Sequence, residues 1–136
     1  MEDDNVVQQA RYVLADALAR IDTPDKWTTG VSARDAEGRC VSIKSPCAHK
    51  YCATGAIFAG DDDDHRARVA ALDAIIDYAG IPLDHPYPFT QFAKESKIMV
   101  WNDAEGRTHS EVVRVFEAAI EGGGWKQLKL KGFDYE

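Results

Sequence analysis

What most constrains the fold is the recurrence of apolar residues at spacings of three and four, in stretches closed by proline or glycine. Over residues 5–21, Val7, Ala10, Leu14, Ala17 and Ile21 fall on one helical face. Asp3 or Asp4 is available as an N-cap, and Pro24 ends the run because it disfavours helical geometry at Thr23. Over 64–79, Val69, Leu72, Ile75, Ile76 and Ala79 form a second stripe, stopped by Gly80 and Pro82. A third helix is expected from Thr108. Thr108 and Glu111 have the spacing of a capping box, Val112, Val113, Phe116, Ala119 and Ile120 form the apolar face, and Gly122-Gly123-Gly124 ends it.

Between these stretches the pattern changes. Residues 27–43 carry Thr28, Thr29, Val31 and Ser32, then Asp35-Ala36-Glu37-Gly38, then Cys40, Val41, Ser42 and Ile43. Strand propensity on both flanks of a turn predicts a β-hairpin. A loop broken by Pro46 leads to a short helix over about 49–59, rich in small residues. Gly55 is a poor helix former there, so its expected use is close approach of another element. Pro82, Pro86 and Pro88 exclude a long helix over 81–96, and Phe92 is expected on a loop or single turn. Residues 97–101 read as a strand or a helix end, and Asn102–Gly106 as a turn. Trp125–Leu130 alternates and predicts an edge strand.

The expected fold is therefore mainly α (α+β): a compact domain of about four helices with a short hairpin and a C-terminal edge strand. The 136 residues suit one domain, 1–136, with flexible termini at 1–4 and 131–136. A formal charge of −7 argues against a general nucleic-acid binder and against docking on anionic membranes, and is compatible with a basic protein partner. No run approaches the roughly 18 apolar residues of a membrane helix. The start, Met1-Glu2-Asp3-Asp4, is acidic where a secretory signal is basic and then apolar, so a cytoplasmic location is expected. Three cysteines in such a chain favour reduced thiols.

Cys52 is the first candidate for chemistry. A thiol near a helix N-terminus gains thiolate character from exposed N–H groups. His109, in the first turn of its own helix, is the natural base, and Asn102 or Asp103 could orient it. The competing reading is structural: free cysteine is commonly a small buried hydrophobe, and His109 could simply bond a backbone carbonyl. Cys40, Cys47, His49 and Cys52 form a Cys-x6-Cys-x-His-x2-Cys pattern that matches no ordinary zinc spacing, so no metal and no cofactor are assigned. The run Asp61–Asp64 lacks the alternation of a calcium loop and reads as a solvated helix start. Arg107 is expected to pair with Asp35 or Asp103, and Trp101 to enter the core.

Two blocks carry a resemblance: Tyr51-Cys52-Ala53-Thr54-Gly55-Ala56, and Trp101-Asn102-Asp103 with Gly106-Arg107-Thr108-His109. With Trp27 and Ala33–Arg39 ahead of them, they resemble a family of small bacterial and phage proteins that carries a domain-of-unknown-function label, over roughly residues 8–120. The resemblance singles out Cys52, Gly55, Asn102, Asp103, Arg107, Thr108 and His109. Tyr51 stands where the family has Trp, and Cys40 and Cys47 fall where it requires no cysteine, which weakens the zinc reading further. It implies a bacterial or phage origin and no particular activity.

The leading functional expectation is a non-enzymatic accessory protein that binds a protein partner, such as a phage-encoded inhibitor or regulator. The expected binding residues are Arg107, Tyr87, Phe89 and Phe92, with the aromatics beside acidic residues; a homo-oligomer is left open. The alternative is a cysteine-dependent hydrolase or transferase using Cys52 and His109.

Overall fold

A computed structural model describes residues 2–60, 64–82 and 90–122. Among them are five helices: α1 (Glu2–Arg20), α2 (Ala53–Phe58), α3 (His65–Tyr78), α4 (Gln91–Asn102) and α5 (His109–Glu121). Two short strands, β1 (Ala33–Arg34) and β2 (Lys50–Tyr51), complete the architecture. None of the helices is long and apolar enough to cross a membrane.

Helix α3 lies at the centre, packed by α1, α4, α5 and α2. Its sequence accounts for that position. Ala67, Val69, Ala70, Ala71, Leu72, Ala74, Ile75 and Ile76 are all buried, and a helix that is apolar around most of its circumference must be covered on most sides. The alanines let neighbouring backbones approach. Asp64 caps α3, its carboxylate accepting from the Ala67 N–H at 3.1 Å, so the last residue of the acidic run does helix-capping work; Asp61–Asp63 lie outside the described residues. Helix α1 buries Val6, Ala10, Val13, Leu14 and Ala17, and Ile21 just past its end is buried too, while Val7 packs only partly against the core. Helix α5 starts at the expected capping box, with Thr108 and Glu111 each satisfying the other's backbone N–H.

Three expectations change. Helix α4 occupies residues expected as a loop followed by a strand or helix end. Its buried stripe is Lys94, Ile98 and Asn102, largely polar, so a search for apolar periodicity passes over it. The three prolines all precede its cap, Thr90, and do not interrupt it. Lys94 lies in the core with its Nζ 3.0 Å from Asp73 of α3. Phe92 consequently sits on a regular helix, and Trp101 is only partly buried.

The hairpin is also re-paired. Its turn forms at the expected place, closed by Asp35 N–H to Arg39 O at 2.8 Å, with Gly38 at φ +86°. The Asp35 carboxylate accepts from the N–H groups of Glu37 and Arg39 and from Arg39 Nε, which tightens the turn. The strand paired with Ala33–Arg34 is Lys50–Tyr51, antiparallel with Ala33 opposite Tyr51; of the flank expected there, Cys40 makes an isolated antiparallel bridge to Arg34 and Val41 N–H donates to Ala33 O at 3.1 Å, while residues 41–43 form no strand.

Gly55 has the expected role. A Cβ there would meet the Ser32 carbonyl oxygen, so α2 touches the backbone of the residue just before β1. The edge strand expected over 125–130 and the termini expected to be flexible at 131–136 lie outside the described residues.

Candidate functional site

The Tyr51–Ala56 and Trp101–His109 blocks meet at Asn102. As the last residue of α4, its side chain is carried inward, fully buried, beside the start of α2. Its Oδ1 accepts from Trp27 Nε1 at 2.9 Å and from Ala53 N at 3.1 Å. Its Nδ2 donates to Thr28 O at 3.1 Å and to Asp103 Oδ1 at 2.9 Å. Both groups facing Oδ1 are obligate donors, which fixes the orientation of the amide. One side chain thus joins α4, α2 and the segment after α1. Asp103, exposed, adds a bond from the Gly30 N–H at 3.0 Å.

Cys52 is the N-cap of α2 and has no exposed surface. Its sulfur accepts from the Gly55 N–H at 3.3 Å and lies 3.2 Å from Thr54 Oγ1. Together with the Ala53–Asn102 bond, this satisfies N–H groups that a helix start would otherwise leave open.

His109 is the first residue of α5. Its Nε2 lies 2.6 Å from Ile21 O; a carbonyl only accepts, so Nε2 carries the proton in that bond. The ring rests against Trp27, with centroids 6.3 Å apart and planes at 50°. The structure therefore brings Cys52, Asn102, Asp103 and His109 into one region, but not into a nucleophile–base–orienter chain. No hydrogen bond joins Cys52 to His109 or His109 to Asn102; Trp27 links the two halves, its indole N–H on Asn102 and its ring on His109.

The thiols do not gather. Cys40 and Cys47 are exposed, Cys52 is buried, and His49 faces Asp25 at 3.4 Å. Among the described residues, no group of three His, Cys, Asp or Glu could hold a metal ion.

A second feature lies between the end of α3 and the outer face of α4. Phe92, Ser96 and Val100 follow one another at spacings of four, opposite the buried stripe of α4. Phe92 is 79% exposed and Val100 74%. They border a groove of about 860 Å³ whose other walls include Ile81, Pro82, Trp101 and Arg107. Arg107 pairs with neither Asp35 nor Asp103, the partners expected for it. Its Nε donates to Trp101 O at 2.9 Å, its Nη1 to Glu111 Oε2 at 3.1 Å, and its guanidinium covers the Trp101 ring at 4.6 Å. The i, i+4 spacing of Arg107 and Glu111 across the helix start is what makes that pairing available. Tyr87 and Phe89 lie outside the described residues, and the charged residues on the described walls are Lys97 and Arg107, basic rather than acidic.

Sequence reasoning missed Trp27 and Thr28 as partners of Asn102, and Val100 as an exposed apolar residue. The first two depend on contacts across more than seventy positions, with |i−j| of 75 and 74. Val100 was findable: placing 90–102 on a helical wheel aligns it with Phe92.

No curated protein and no solved structure matches the chain significantly. The model of a family of unknown function, DUF6197, matches residues 6–122, which run from the first turns of α1 to the C-cap of α5. By that match, across all five helices and both of the blocks that meet at Asn102, the chain belongs to the DUF6197 family.

Proposed function

We propose that this chain is a small acidic accessory protein that works by binding a protein partner through the groove beside α4. The observation that carries the reading is the pair Phe92 and Val100, two apolar side chains left in solvent on one helix face beside an apolar groove. Contiguous exposed apolar surface with an aromatic and an arginine at its centre is the usual composition of a binding patch. The role fits a bacterial or phage protein acting in the cytoplasm as an inhibitor or regulator.

What favours binding over a Cys52–His109 hydrolase is the use already made of both residues. Cys52 is sealed and caps a helix, and the His109 ring nitrogen is engaged by the Ile21 carbonyl. A nucleophile needs an approach for its substrate and a base within reach.

The test places a photo-crosslinking amino acid at position 92 or 100 in cells, with Glu117 on the exposed face of α5 as the control position. A discrete adduct at 92 and 100, absent at 117 and competed away by untagged protein but not by Val100→Glu, is expected. Equal adducts from all three positions overturn the reading.

A further inference from the structure

The groove continues past α4. A second stretch of about 360 Å³ runs along α5 between Tyr78, Val115 and Ala118, and shares Ala79, Trp101 and Arg107 with the first. The two stretches differ in polarity. Ile81, Pro82, Phe92 and Val100 wall the first, with Lys97 beside them, whereas Arg107, Arg114 and Glu111 line the second. Among the described residues, three cationic side chains and one carboxylate thus line the whole groove, on a chain whose formal charge is −7. Asp103, Glu105 and Glu117 neighbour wall residues in the sequence but are not themselves walls; Asp103 accepts from the Gly30 N–H instead. Exposed charges farther than about 8 Å are largely screened at physiological salt, so a ligand in the groove meets its walls before it meets the net charge.

Both arginines keep donors in hand. Arg107 spends Nε on Trp101 O and Nη1 on Glu111, and among the described residues its Nη2 has no partner. Arg114 is exposed, and among the described residues its guanidinium makes one bond, from Nη2 to Ser110 Oγ at 3.2 Å. No described carboxylate holds it.

We infer that the partner segment this groove takes is acidic: a stretch of protein with apolar side chains for the wall formed by Phe92 and Val100, and carboxylates for Arg107 and Arg114. This partner class rests on the groove being a binding surface, as proposed above. Guanidinium groups suit it because their planar donors match carboxylate oxygens two at a time. Arg107 is also ordered in advance, since its guanidinium already lies over the Trp101 ring at 4.6 Å. A basic segment is what the net charge alone would favour. In this groove it would set like charges beside Lys97, Arg107 and Arg114, which is costly.

The test uses the full chain, isotope-labelled, and two synthetic amphipathic helical peptides blocked at both ends. The peptides share one leucine stripe and carry either glutamate or lysine along its edges. The glutamate peptide should move the amide signals of Ser96, Val100 and Val115, leave those of Asp16 and Glu37 in place, and bind at least about tenfold more tightly than the lysine peptide. Arg114→Glu, at an exposed position, should remove most of that preference while the rest of the amide spectrum stays put, and Arg114→Lys should keep most of it. Binding by neither peptide, equal binding, tighter binding of the lysine peptide, or a glutamate preference that Arg114→Glu leaves unchanged overturns the inference. Crosslinked adducts at 92 and 100 with a lysine preference sink only the acidic partner; absent adducts with an Arg114-dependent glutamate preference sink only the reading of a partner in cells.

Discussion

Asn102 Oδ1 accepts the indole N–H of Trp27 at 2.9 Å across 75 positions of chain, and the same oxygen holds the first N–H of α2. Two donors from distant segments converge on one buried acceptor. The Trp101–His109 block is thereby tied to the Tyr51–Ala56 block through an amide, and the thiol–imidazole contact considered from the sequence is not formed.

Asn102→Leu should be costly. It keeps the volume but leaves Trp27 Nε1 and Ala53 N–H without an acceptor. Unsatisfied buried donors cost about 1–3 kcal/mol each, so a loss of about 2–5 kcal/mol is expected. Urea unfolding checks it; a loss below about 1 kcal/mol would mean that the amide is replaceable.

Gly55→Ala tests the approach of the Ser32 backbone to α2. In an ordinary helix interior this change stabilises by about 1 kcal/mol. Here the new methyl meets the Ser32 carbonyl, whose oxygen already accepts from Cys52 N–H, so the sign should reverse to a destabilisation of about 1–3 kcal/mol. Thermal unfolding of the pair decides it, and an unchanged or higher Tm would refute the contact.

The thiols should divide by exposure. Iodoacetamide near neutral pH should label Cys40 and Cys47 in the native protein and Cys52 only after denaturation, seen by mass spectrometry of the peptides. Rapid native labelling of Cys52 would revive the catalytic reading. Cys52→Ser, which keeps an acceptor for the Gly55 N–H, should fold.

Stability should fall in acid, through three carboxylates. Thr108 N–H, then its hydroxyl, hold Glu111 below the ordinary glutamate value of 4.5. The Arg39 N–H lowers Asp35, and the Thr23 hydroxyl lowers Asp25, both from 3.8. Depressed folded-state values mean that the unfolded chain binds more protons in this range, so stability rises with pH. The contribution is complete above the unfolded values, near pH 4–5, and is lost as pH falls through the folded ones. Glu111→Gln should flatten that acid limb in denaturation series taken from pH 6 to pH 2. An unchanged slope would remove the capping box as a contributor.

Helix starts and stops were legible because they depend on neighbours a few residues apart. Thr108 with Glu111, Asp64 before α3, and the apolar stripes of α1, α3 and α5 all belong to this class. Cys52 near a helix N-terminus and the close packing of Gly55 were readable for the same reason, although the helix expected from about 49 begins only at Ala53, after the strand Lys50–Tyr51. Helix α4 was not, because Lys94 and Asn102 are polar residues that become core only when Asp73, Trp27 and Ala53 supply partners. The partner strand of β1 escaped likewise, since Lys50–Tyr51 carries no stronger strand signal than residues 41–43.

Periodicity and capping act over one or two turns, and so a mainly helical fold, the capping box at Thr108 and the acidic start of α3 could be read from neighbouring residues alone. That Asn102 joins the Tyr51–Ala56 and Trp101–His109 blocks, that Cys52 is enclosed, and that Phe92 and Val100 face outward beside a groove emerged from the folded arrangement. Those outcomes depend on which distant donors and apolar faces meet, and burial turns on contacts that no local spacing encodes.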